Sequence, residues 1–134
     1  MRYTHRIIMA LAAVGVLSGA PAAVAVETLN EKVQLQAAMQ QYIDAQSIDG
    51  RFLALDQKSG EVRGLHPTTA HPEIMRMGNN FVLCFDFKDD QGKAANVDFY
   101  MARKDDSYVV FHTVLGDHVM LKGLMKDGKI SRME

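Results

Sequence analysis

FVLCFDFK, residues 81–88, decides the fold of this chain. Phe81, Leu83, Phe85 and Phe87 alternate with Val82, Cys84 and Asp86. Successive strand side chains point to opposite faces, so this run is a strand with one strongly apolar face. Two further alternating runs, 94–103 and 108–115, follow the polar connections 89–93 and 104–107. Asp, Gly, Lys and Ser dominate those connections, as turns require, and the three runs predict an antiparallel meander. The connection with Asp89, Asp90 and Gly92 lacks the acidic ladder and distal Glu of a calcium loop, and reads as a solvated turn.

Upstream of the meander, Thr28 and Glu31 have capping-box spacing, which predicts a helix starting there. Leu35, Ala38, Met39, Tyr42 and Ile43 then recur at three-to-four spacing, an apolar stripe that needs a sheet to cover it. Asp49 and Gly50 end the helical pattern. The runs 51–56 and 61–65 around the insert 57–60 read as a hairpin. Residues 66–79 contain two His-Pro pairs, His66-Pro67 and His71-Pro72, and read as a long irregular loop. After Gly116, the residues Val119, Met120, Leu121, Leu124 and Met125 fit either a continued strand or a short helix before a loose tail. The predicted architecture is α+β, with one N-terminal helix packed on an antiparallel sheet of about five strands.

The first 25 residues are set apart from this domain. Arg2 and Arg6 precede an uncharged stretch over 7–26, and Ala23-Val24-Ala25 offers small residues where a signal peptidase reads. The layout predicts cleavage after Ala25, with a retained anchor as the rival reading, and a destination in the periplasm or outside the cell. A single domain over 26–134 remains, 109 of the 134 residues, with room for one modest core. Without Arg2 and Arg6, 13 basic residues face 16 acidic ones, a net charge of −3. No basic cluster is left, which argues against nucleic-acid binding and polybasic membrane docking. Once cleaved, the chain has no stable membrane anchor. Cys84 is the only cysteine, so the domain folds without an internal disulfide.

The hairpin Leu55-Asp56-Gln57-Lys58-Ser59-Gly60-Glu61-Val62, within residues 52–65, resembles the aspartate, turn and Gly-Glu-Val hairpin of exported PepSY-type domains. That resemblance implies inhibition or regulation and covers about fourteen residues. One long helix followed by all the strands is similar instead to the cystatin-like and nuclear-transport-factor-like arrangements. These imply a helix cradled by a curved sheet, and binding rather than one fixed chemistry. Neither resemblance transfers a catalytic residue.

Two constellations carry chemistry. Cys84 and Asp86 share a face on the first meander strand, Asp98 and Tyr100 on the second, and His112 shares one with Tyr108 and Val110 on the third. If these faces coincide, Cys84, Asp86, Asp98, Tyr100 and His112 line a pocket in the concave sheet beside the helix. Cys, His and Asp are the ingredients of an activated thiol, and equally ordinary residues of a half-exposed sheet. Two carboxylates facing each other there would raise a pKa or hold a cation. Cys84 itself reads as a buried small hydrophobe, a soft-metal ligand, an intermolecular disulfide or a reactive thiol. The second constellation, His71, Met75 and Met77, offers neutral and soft donors suited to copper(I). It is similar to the Met-x-Met and His ligands of small periplasmic copper chaperones, although no Trp is present to cap a metal. Core packing is the alternative use of those methionines. The expected function is non-enzymatic binding of a small ligand or protein partner through the sheet's polar face and the 66–79 stretch. Metal handling, through His71, Met75 and Met77 or through Cys84 and His112, is the alternative, and a thiol-dependent enzyme the second alternative.

Overall fold

The computed structural model describes residues 20–134. Helix α1 (Ala20–Ala45) is followed by β1 (Ser47–Ile48), β2 (Arg51–Leu55), β3 (Val62–Met77), β4 (Asn80–Lys88), β5 (Ala94–Lys104) and β6 (Ser107–Leu115). Helix α2 (Val119–Lys126) and β7 (Ser131–Arg132) complete the chain. The strands pair antiparallel in chain order from β1 to β6, and β7 adds to the far end of β3. The fold is α+β, an N-terminal helix on an antiparallel sheet. Seven strands replace the expected five or so because the two-residue β1 and β7 extend it. Most of the predicted signal sequence lies outside the described residues. No described helix is long and apolar enough to cross a membrane.

The predicted stripe on α1 is the face that meets the sheet. Leu35, Met39 and Ile43 are fully buried, with Ala38 and Tyr42 packed beside them. They lie on Phe81, Leu83, Phe85 and Phe87 of β4, Val97, Phe99 and Met101 of β5, and Phe52 of β2. Phe52 stacks on Phe87 at 5.2 Å, and Tyr42 meets Phe99 edge-on at 6.0 Å, arrangements that aromatic quadrupoles favour.

Two local expectations are corrected. The helix starts at Ala20, well before Thr28 and Glu31. An alanine-rich lead-in with Pro21 in the first turn carries helix through the capping-box position. Glu31 therefore sits inside α1 and ties it down, accepting from Arg103 (2.8 Å), the Tyr108 hydroxyl (3.1 Å) and Arg76 (3.2 Å). Residues 66–77 of the predicted loop are not a loop but most of the 16-residue β3. Its register against β4 shifts between Pro67 and Thr69 and again between Ala70 and Ile74, so bulges absorb the excess residues. The prolines are tolerated because β2 leaves β3 after Leu65 and β7 joins only at Met75, which leaves an unpaired outer edge between them.

The second face of the sheet is covered as well. Of the two expectations for the tail, the short helix is the one found. Leu121, Leu124 and Met125 form a stripe on α2 that packs, with Ile130, over Val82, Cys84, Met75 and Tyr100. The β4 strand is thus buried on both sides along most of its length.

Phe99→Ala, which removes a fully buried ring from the larger core, is expected to cost about 3–5 kcal/mol. Urea titration would show this as a lower midpoint with an unchanged slope. In the β2–β3 turn, the Asp56 carboxylate accepts the N–H groups of Lys58 (2.9 Å) and Ser59 (3.3 Å). These bonds hold its pKa below the usual carboxylate range. Its stabilisation is complete above about pH 4 and is lost as pH falls through the depressed value. Thermal unfolding from pH 7 to pH 2 should therefore be less acid-sensitive in Asp56→Ala than in the parent.

Candidate functional site

The polar side chains predicted to share a face do share one, but it is the face away from α1, beneath α2. Strand pairing sets Cys84 opposite Asp98 and Tyr100 opposite His112. Asp98 is the buried charged residue of the described chain, 2 % exposed, and Tyr100 and Cys84 are buried beside it. The remaining two predicted residues sit at the margin. His112 is exposed, its ring 5.9 Å from that of Tyr100. Asp86 opposes Asn96 rather than Asp98, so the two carboxylates do not face each other across the strands, and Asp86 instead meets His71 Nε2 at 2.9 Å.

His71 reaches Asp86 from within the second bulge of β3, where an extra residue re-aims a side chain. The bulge is braced from the other side by α1, whose Gln36 amide donates to the His71 carbonyl at 2.9 Å. Met75 is buried and Met77 half-buried in the cluster under α2, packed with Val82, Leu121 and Ile130. The copper trio is thus divided between an imidazole held at the Asp86 carboxylate and two thioethers in packing positions.

The residue that completes the cluster is His118, which periodicity does not mark. It occupies the N-cap of α2 with φ 59° and ψ 26°, and its side chain makes no cap bond. The ring turns into the sheet, where Nδ1–H donates to Asp98 Oδ1 at 2.6 Å. Gly116, at φ 149°, lets the chain leave β6 in a conformation closed to other residues and so delivers His118 over β5. The sequence signal was a Gly-Asp-His run placed directly before an apolar stripe. The rings of His118 and His71 lie 6.3 Å apart, which makes His71 the nearest partly exposed neighbour of the cluster on the β3 side. A groove of about 270 Å³ lined by Lys58, Val114, His118 and Met120 opens on the other.

The electrostatics of the cluster are those of a buried acceptor with donors around it. Burial pushes the Cys84 thiol pKa up, and the hydrogen bond to Asp98 and that carboxylate's charge push it further. Burial raises the Tyr100 phenol to about 12, with Asp98 and Cys84 adding to the shift. Asp98 therefore takes a hydrogen bond from the imidazole, with the thiol beside it disfavoured from ionising. An activated thiolate needs a base at the sulfur, whereas here burial and the neighbouring carboxylate disfavour ionisation of the thiol. Cys84, Asp98 and His118 nevertheless each offer a ligand atom, all within 4.8 Å of one another. Among the described residues the Tyr100 hydroxyl is the buried side-chain polar atom with no hydrogen-bond partner.

No protein-family model, curated protein or solved structure matches this chain. The class this fold defines is a helix-covered antiparallel sheet with a largely buried Cys–Asp–His–Tyr cluster on its second face.

Cys84 is expected to resist iodoacetamide in the folded protein from pH 6 to pH 8.5 and to react stoichiometrically once unfolded in guanidinium. Mass spectrometry of the quenched samples reads the outcome. Rapid alkylation of the folded chain at neutral pH would restore the activated-thiol reading.

Proposed function

We propose that this is an exported, non-enzymatic binding domain that holds a small ligand or a short piece of a protein partner on the second face of its sheet, between α2 and the bulged stretch of β3. The Tyr100 hydroxyl carries this reading. Leaving a buried donor without a partner costs about 1–3 kcal/mol, and Phe would fill nearly the same space without that cost. A phenol kept there beside Asp98 and Cys84 is a group that a ligand satisfies. The raised pKa of the buried thiol favours binding over thiol chemistry. The groove at His118 and the half-exposed His71 and Asp86 border this cluster.

Export is supported by Arg2 and Arg6, the uncharged run behind them and Ala23-Val24-Ala25. Cleavage after Ala25 would leave the described core whole, since from Val26 on the first buried residue is Leu35. The protein made in a host with an export pathway should therefore have the intact mass of a chain beginning at Val26; a full-length mass would overturn this part of the reading. Purified gently and without chelator, the wild type should carry a bound mass in native mass spectrometry. Tyr100→Phe should raise the unfolding free energy of the stripped protein by about 1 kcal/mol while weakening retention of that mass. Equal retention by the two proteins, or a bare wild type, would count against a binding centre on this face.

A further inference from the structure

We infer that Cys84, Asp98 and His118 form a zinc site, with Tyr100 and His71 around it. The inference rests on reading the second face as the binding centre and names the ligand as a borderline divalent ion. The three donors come from three separate elements: β4, β5 and the first residue before α2. Pairing places Cys84 and Asp98 side by side, and the Gly116 turn brings His118 down onto them. Zinc takes sulfur at about 2.3 Å and nitrogen or oxygen at about 2.0–2.2 Å. Tetrahedral ligands at those lengths lie roughly 3.3–3.7 Å apart. The 4.8 Å limit within which all three ligand atoms fall is thus within a small side-chain adjustment of coordination. Binding would replace the His118–Asp98 hydrogen bond and the thiol's contact with Asp98 by bonds to the ion, the thiol proton leaving to solvent and the imidazole proton passing from Nδ1 to Nε2.

Donor chemistry selects the metal. One thiolate, one carboxylate and one imidazole make a mixed set, unsuited to calcium or magnesium, which take oxygen throughout. Three protein ligands leave a fourth tetrahedral position for water or an incoming group. The independent indication that something polar belongs there is Tyr100. It is 2 % exposed, without a partner, and on the same face of β5 as Asp98, two residues further along the strand. A water on the fourth position gives its hydroxyl a partner, the role outer residues play around zinc. His71, with its ring 6.3 Å from that of His118 and its Nε2 at Asp86, stands on the approach as a fourth donor and second imidazole.

The test uses the protein as purified from the exporting host, reduced, stripped with chelator and titrated with Zn²⁺ and, separately, Co²⁺. The expected result is one zinc per chain in native mass spectrometry, a raised melting temperature, and a thiolate-to-cobalt charge-transfer band in the Co²⁺ form. Cys84→Ser should abolish that band. His118→Asn, which keeps a residue tolerant of positive φ, and Asp98→Asn should each weaken zinc binding at least a hundredfold with the circular dichroism spectrum retained. Tyr100→Phe should keep the stoichiometry and the band while lowering affinity about tenfold. Absence of the cobalt band from the wild type, or zinc binding undiminished in folded Cys84→Ser, overturns the inference. An organic or peptide mass retained after chelation in a Tyr100-dependent way, with no zinc bound, overturns the metal alone and leaves the binding face standing. A wild type that takes neither overturns both.

Discussion

Everything in this fold depends on β4 having apolar side chains on both of its faces. One row, Phe81 to Phe87, needs a broad aromatic partner and finds it in β5, β2 and α1. The other row, Val82 and Cys84, is shorter and finds a smaller cover in α2 and Ile130. Burying each large apolar side chain stabilises the protein by about 1.5–3 kcal/mol, so neither row can be left in water. The cover for the second row is what brings the start of α2, and with it His118, over the middle of the sheet. The candidate centre is a by-product of closing the back of β4.

Asp98 is the feature that ordinary packing does not explain. A buried carboxylate is strongly disfavoured unless its lone pairs are used, and here an imidazole uses one, with a thiol beside it. A hydrophobic residue at this position would extend the packing of Val82 and Leu121 without needing His118 to adopt a left-handed backbone, itself worth about 1 kcal/mol of strain. The arrangement spends stability in three adjacent places: a buried charge, a strained imidazole carrier and an unsatisfied phenol. Such a concentration of local conflict is a departure from what packing and folding alone would favour.

The sequence-level reading was strongest where a simple period rules. The meander, the stripe on α1 and the hairpin around Asp56 follow from alternation, three-to-four spacing and turn chemistry, and the structure places each within a residue or two. It failed where competing constraints override the period. Proline ordinarily ends a strand, yet Pro67 and Pro72 lie on an edge that asks for no N–H. Capping-box spacing ordinarily starts a helix, yet the alanines ahead of Thr28 extend it and turn Glu31 into an anchor for Arg76, Arg103 and Tyr108. Asp98 and Tyr100 were legible as one face because pleating sets their side, while their meeting with Cys84 depended on a strand register that alternation does not fix. His118 was not, since its position comes from a glycine-directed turn and the docking of α2, which no local pattern encodes.

The stretch of β3 between Leu65 and Met75 has a further consequence. Its outer side is an open sheet edge, the kind of surface on which chains add to one another and grow into aggregates. Pro67 and Pro72 remove two donors from it, the bulges break its regular repeat, and the His71 carbonyl is already taken by Gln36. The same irregularity that aims His71 at Asp86 thus acts as a gatekeeper, keeping a concentrated population of this domain from polymerising through its longest strand.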